Sequence, residues 1–129
     1  MPNENADHIF LCQDPEIQRT FAGAIDELSD FLFDTTSIPL RNEVIRLLTA
    51  FREDLVPEVH TQENLAHLTT QQYDISMRAT LNRMWHEGWE EEKRAYLQRM
   101  SSRKSARVWM IRLTLKIQYM IHKMWLTRN

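Results

Sequence analysis

Arg103–Leu126 reads RKSARVWMIRLTLKIQYMIHKMWL, the most apolar run of the chain, with no Gly, no Pro and no acidic residue. At about 100° per residue on a helical wheel, its apolar side chains form two stripes. Trp109, Met110, Leu113, Ile117, Met120, Ile121 and Met124 make a broad one. Val108, Ile111, Leu115, Tyr119 and Leu126 make a narrower one roughly opposite. Between them run a basic strip of Arg112, Lys116 and Lys123 and a mixed strip of Arg107, Thr114, Gln118 and His122. A helix with one apolar stripe lies on a core; a helix with two has to be covered on both sides. Either the rest of the chain wraps it or a second molecule does.

The remainder of the sequence points to helices as well. With Gly 2 and Pro 4 in 129 residues, the chain lacks the turn residues a sheet protein uses. Hydrophobic and charged fractions of 43% and 26% are those of a globular protein with a real core. Met1–Gln13 is polar apart from Ile9, Phe10 and Leu11 and is read as a flexible arm over residues 1–13. Residues 14–129 are read as a single helical domain. Its first helix opens with Asp14 as N-cap and Pro15 at the first helical position, and Ile17, Phe21, Ala24, Leu28 and Phe31 form its stripe. Ser37 and Pro39 open a second helix with Leu40, Val44, Leu47, Phe51 and Leu55 inward, stopped by Pro57. Thr61 caps a short third helix carrying Leu65 and Leu68. Thr69 and Gln72 have the spacing of a capping box for a long fourth helix over about 71–100. In that helix Gly88, between Trp85 and Trp89, leaves room for another backbone.

Ser101 and Ser102 are the only punctuation before the last helix. The expected fold class is therefore all-α: a small bundle of four to five helices with a long C-terminal antiparallel helical hairpin. The competing arrangement, one helix over about 71–126, would be roughly 80 Å long at 1.5 Å per residue.

The net charge of −2 conceals a division. Residues 1–70, the acidic helices, carry 13 Asp/Glu and 4 Lys/Arg, whereas the basic hairpin of 71–129 carries 5 and 12. No acidic residue follows Glu92, against ten Lys/Arg from Lys93 to Arg128. Such asymmetry makes the two halves attract each other or directs the basic end to an acidic partner.

Candidate chemistry is sparse. Cys12 is the only cysteine, so no internal disulfide forms, and a reducing compartment, cytoplasmic or nuclear, is expected. No apolar run reaches the roughly 18–20 residues that span a bilayer. MPNENADH lacks the form of a signal peptide, Pro2 excludes myristoylation and LTRN carries no prenylation box. A soluble protein is the expectation. His8 with Cys12, His60 with His67, and the isolated His86 and His122 fall short of a zinc site's three or four ligands in close array. No Glu has a His three residues later, which a bundle di-iron centre uses. With only Gly23 and Gly88 there is no glycine-rich phosphate loop, and there is no nucleophile elbow. His86 and Glu87 are neighbours on a helix and point about 100° apart, so they do not cooperate. No cofactor, metal, small-molecule substrate or enzymatic activity is expected.

What remains is binding. Apolar excess and seven Met residues favour a non-catalytic helical interaction module acting by self-association or on a helical partner. Its apolar contact residues are Val108, Ile111, Leu115, Tyr119, Trp125 and Leu126. Arg103, Lys104, Arg107, Arg112, Lys116 and Lys123 are its candidates for an acidic partner or for phosphate. The alternative is a nucleic-acid-binding regulator using Lys93–Arg128, with Trp109, Tyr119 and Trp125 stacking on bases. Against both stands the simpler assignment of aromatics to the core and charges to water. The serine-rich stretch from Arg99 to Arg107 has the composition of a weak nuclear-localisation patch. A phosphate on Ser102 or Ser105 would sit at a helix N-terminus, although a solvated turn with a serine cap accounts for the same residues.

Overall fold

The computed structural model describes residues 4–33, 36–56 and 63–128. These residues are all-helical, with seven helices and no strand among them: α1 (Glu4–Leu11), α2 (Pro15–Phe33), α3 (Ile38–Glu53), α4 (Glu63–Ile75), α5 (Met77–Leu81), α6 (Gly88–Arg99) and α7 (Ala106–Arg128). α7 is the longest at 23 residues, and α1, α2, α5 and α6 all pack against it. Trp109, Leu113, Ile117, Met120, Ile121 and Met124 of its broad stripe are buried in the core. Full burial of such side chains is worth about 1.5–3 kcal/mol each.

Local chemistry sets the earlier helix starts as read. Asp14 Oδ1 accepts from the Glu16 N–H at 2.9 Å, and Ser37 Oγ accepts from the Leu40 N–H at 3.3 Å. Ile17, Ala24 and Leu28 are buried on α2 together with Leu32; Leu40, Val44, Leu47 and Phe51 are buried on α3. Pro57 and Thr61 lie outside the described residues.

The N-terminal segment departs from the arm expected of residues 1–13. Glu4–Leu11 is helical, and Ile9 and Phe10 are buried. Phe10 meets Phe21 edge-on at 5.6 Å, and the Phe10 carbonyl accepts from Arg52 Nη1 at 2.7 Å. Two adjacent large apolar residues beside a buried guanidinium hold α1 against α3.

The long helix expected over about 71–100 does not form. α4 runs through Thr69 and Gln72 to Ile75, a single turn follows as α5, and α6 starts only at Gly88. Gln72 is therefore not part of a capping box; its buried amide links the three segments. Its Nε2 donates to Thr80 Oγ1 at 2.7 Å and to the Met84 carbonyl at 3.0 Å. Its Oε1 accepts from the His86 N–H at 2.8 Å and the Trp89 indole at 3.2 Å. Both donor hydrogens and both acceptor positions of the amide are used. Thr69, also buried, donates to the buried Glu43 carboxylate on α3. Gly88 stands at the start of α6, where a Cβ would meet Leu68 Cδ2 at 2.7 Å and the His86 ring at 2.8 Å. Its small size makes room for two side chains and not for a second backbone.

Three helices turn off through a non-glycine residue in the left-handed conformation. α3 turns off through Asp54 (φ 56°), α5 through Arg83 (φ 70°) and α6 through Ser101 (φ 52°). In each case the next residue's N–H reaches back to an orphan carbonyl: Leu55 to Ala50, Met84 to Ala79 and Ser102 to Leu97, all at 2.9 Å. Left-handed conformation in a non-glycine residue costs roughly 1–2 kcal/mol. The recovered hydrogen bonds and the packing on either side offset it.

Gln72→Leu is expected to lower stability by about 3 kcal/mol or more, because it strands the Trp89 indole, the His86 N–H and the Met84 carbonyl together. Urea unfolding beside the exposed control Gln71→Leu measures this, and a loss below about 1 kcal/mol contradicts the linking role.

Candidate functional site

The face of α7 opposite its buried stripe is uncovered. Val108, Ile111, Leu115, Tyr119 and Leu126 are each 48–58% exposed. At 100° per residue they fall within about 80° of arc, so they share one side of the helix, with the exposed His122 between Tyr119 and Leu126. α7 starts at Ala106, where Ser105 Oγ accepts from the Val108 N–H at 3.2 Å. Ser105 thus serves as a helix cap, and Ser102 Oγ accepts from the Lys104 N–H at 3.1 Å within the preceding turn.

Cations flank the strip. Arg103, Lys104, Arg107, Arg112 and Lys116 are exposed. The Lys116 ammonium lies 5.3 Å from the ring centroid of Phe31 on α2. Lys123 differs from the others: its Nζ pairs with Glu27 of α2 at 3.0 Å and lies 5.0 Å from the Tyr119 ring centroid. It joins α7 to α2 before any partner is considered. Trp125 also departs from the contact set read from sequence. It is half-buried, packs against the core and stacks on His122 at 6.1 Å, so it borders the exposed face.

Lys93, counted with the basic stretch in the sequence, is inside the molecule at 1% exposure. Its Nζ donates to Thr36 Oγ1 at 3.0 Å, and the Trp109 indole donates to the same oxygen at 3.1 Å. The ammonium also lies 5.0 Å from the Trp109 ring centroid and 5.5 Å from that of Tyr96. Burial, followed by the nearby positive charge of Lys104, lowers its pKa from 10.5 to about 8. Nothing in a single sequence separates a buried lysine from a wet one when both sit in a basic run. Lys93, Lys104 and Arg112 line a cleft of about 270 Å³, together with Phe31, Leu97, Ser105, Val108 and Trp109. The cleft shares Val108 and Arg112 with the exposed face, so apolar strip and basic cleft are continuous.

Among the described residues no three of His, Cys, Asp and Glu come together as a metal site would need. His60 lies outside them; His8 and His67 are exposed, and His86 Nδ1 accepts from the Gly88 N–H at 2.9 Å. Arg94 pairs with Glu90 at 2.6 Å, an i,i+4 contact of surface type. Among the described residues no helix is long and apolar enough to cross a membrane. A scan against protein-family models, a search of curated proteins and a search of solved structures each found no match to this chain.

Burying Lys93 has a consequence for stability against pH. The folded chain gives up the ammonium proton near pH 8, whereas an unfolded lysine keeps it to about pH 10.4. Between these values the unfolded state binds more protons, so this group makes stability rise with pH. In urea unfolding at pH 7, 8, 9 and 10, the parent is expected to gain stability relative to Lys93→Met as pH rises. Parallel profiles for the two proteins contradict the burial of this charge.

Proposed function

We propose that this chain is a non-catalytic helical interaction module that docks other protein through the exposed face of α7. The observation that carries this proposal is the pair of opposite faces on one helix. Six side chains of the broad stripe are core, and five large apolar side chains face solvent on the other side, Val108 to Tyr119 in succession and Leu126 two turns beyond, past His122. Single exposed apolar residues are ordinary on a protein surface; a contiguous strip bordered by charge is the mark of an interaction site. Helix-in-groove and helix-on-helix docking read apolar anchors spaced three and four residues apart, which Val108, Ile111, Leu115 and Tyr119 provide. The α6–α7 pair, with its turn at Met100–Ser105, would present this face as the outer side of a helical hairpin.

Nucleic acid is the second candidate, and the five exposed cations from Arg103 to Lys116 are what favour it. A phosphate backbone would need those cations at the centre of the contact. Here the centre is apolar and the cations are at its edge, which favours protein.

Two substitutions distinguish docking face from core. Leu115→Asp is expected to leave unfolding free energy within about 0.5 kcal/mol of the parent, as for a surface change. Met120→Asp, on the buried stripe, is expected to cost several kcal/mol because it places an unpaired carboxylate in the core. Any assembly of the parent seen by light scattering should be absent in Leu115→Asp. A Leu115→Asp chain that unfolds as Met120→Asp does, or that assembles like the parent, overturns the assignment.

A further inference from the structure

The charge pattern around the α7 face selects the kind of molecule that covers it, given that the face is a docking surface as proposed above. A second copy of this chain fits badly. From Lys93 to the C-terminus there is no acidic residue, and so none on α7. Two α7 helices packed antiparallel about a two-fold axis bring like flanks together, so that Arg112 and Lys116 face the same pair of the other copy. Packed parallel, they face the flank that carries Arg107. In either arrangement the helices bring cation to cation beside an apolar seam, which costs affinity. Among the described residues, the Glu27 carboxylate on α2 is paired with Lys123.

A partner with carboxylates beside an apolar stripe meets the opposite situation. Arg112 and Lys116 lie on one flank of the strip, one turn apart, at the spacing of i,i+4 acidic residues on a facing helix. At the N-terminal end of the strip the flank opens into the cleft of about 270 Å³ where Lys93, Lys104 and Arg112 meet. Lys104 and Arg112, both exposed, are among its lining residues. That volume accommodates an acidic side chain, and Phe31 and Trp109 are part of its lining. Buried aromatic walls around a charged anchor are a common arrangement at binding hot spots.

We infer that the occupant of the α7 face is an amphipathic helix of another protein. Its apolar stripe packs on Val108, Ile111, Leu115, Tyr119 and Leu126, and its carboxylates pair with Arg112 and Lys116. A further carboxylate enters the cleft beside Lys104. The pairing supplies orientation and association rate, while the apolar strip supplies most of the affinity.

A display library tests this even while the natural partner is unidentified. Helical peptides of about 20 residues, close to the length of α7, keep a fixed leucine stripe and carry Glu, Lys, Gln or Ala at all flanking positions. Selection on the full chain is expected to enrich Glu along one flank. A selected peptide, measured by fluorescence anisotropy, should bind the Arg112→Glu, Lys116→Glu double variant at least about tenfold more weakly than the parent. Replacing the peptide's flanking Glu by Lys should restore binding to that variant. No retained peptide, no Glu enrichment, or equal binding to the parent and the double variant overturns the acidic partner. So does a parent dimer in light scattering that Leu115→Asp dissolves, or binding of phosphatidylserine vesicles in preference to the selected peptide. The underlying docking face fails separately: in that case the selected peptide binds Leu115→Asp as well as it binds the parent.

Discussion

Four of the other six helices pack around a helix that is apolar on two sides and covered on one. α7 buries Leu113, Ile117, Met120, Ile121 and Met124, and α1, α2, α5 and α6 all lean on it. Thr20 and Thr127, 3.0 Å apart, and the Lys123–Glu27 pair hold α2 along one side; the Gln118 amide reaches the Leu81 carbonyl of α5 on another. These contacts hold the buried stripe inward and so fix where the narrow stripe points. Exposing five large apolar side chains forgoes roughly 1.5–3 kcal/mol apiece that full burial would have contributed. A chain that stays folded despite this leaves a surface whose covering by a partner is favourable.

A second constraint is how the middle of the chain turns with so little glycine. The stretch from Thr69 to Arg99 has helical periodicity throughout and one glycine, so periodicity alone gives one long helix. Two features break it. One is the Gln72 amide, whose four hydrogen bonds are worth more in the folded loop than in a solvated helix because Thr80 and Trp89 are buried with it. The other is the left-handed turn at Arg83, a residue that carries no turn signature. Both depend on tertiary context: a glutamine spaced three after a threonine reads as a cap until its surroundings are known. Ser76, at φ 125°, caps α5 through Ala79 and adds a third interruption that its residue type only weakly marks.

The start of α2 at Asp14 and that of α3 at Ser37 were legible because the chemistry is local: a side-chain oxygen reaching an N–H two or three residues ahead. So were the two stripes of α7, because a long helix repeats its period often enough to separate opposite faces. The N-terminal segment was not legible. Ile9, Phe10 and Leu11 form too short a run to show a period, and what covers them lies far along the chain: α3, α5 and α7 pack on α1, and Arg52 donates to the Phe10 carbonyl. The charged part of the site was half legible. Arg112 and Lys116 are exposed as their wheel positions imply, whereas Lys93 is buried under Trp109 and Lys123 is taken by Glu27. Which cation in a basic run is paired depends on neighbours that no spacing rule reveals.

Hydroxyl-radical footprinting with residue-level mass spectrometry tests the two-sided helix most directly, because the chain supplies its own references. Met84 and Met100 are exposed, Met120 and Met124 are buried on α7, and Tyr119 lies on the open face of the same helix. The expected result is rapid oxidation of Met84, Met100 and Tyr119 with strong protection of Met120 and Met124. Oxidation of Met120 and Met124 at the rate of Met84 and Met100, or protection of Tyr119 to the level of Met120, would contradict a helix with one face in the core and the other open to a partner.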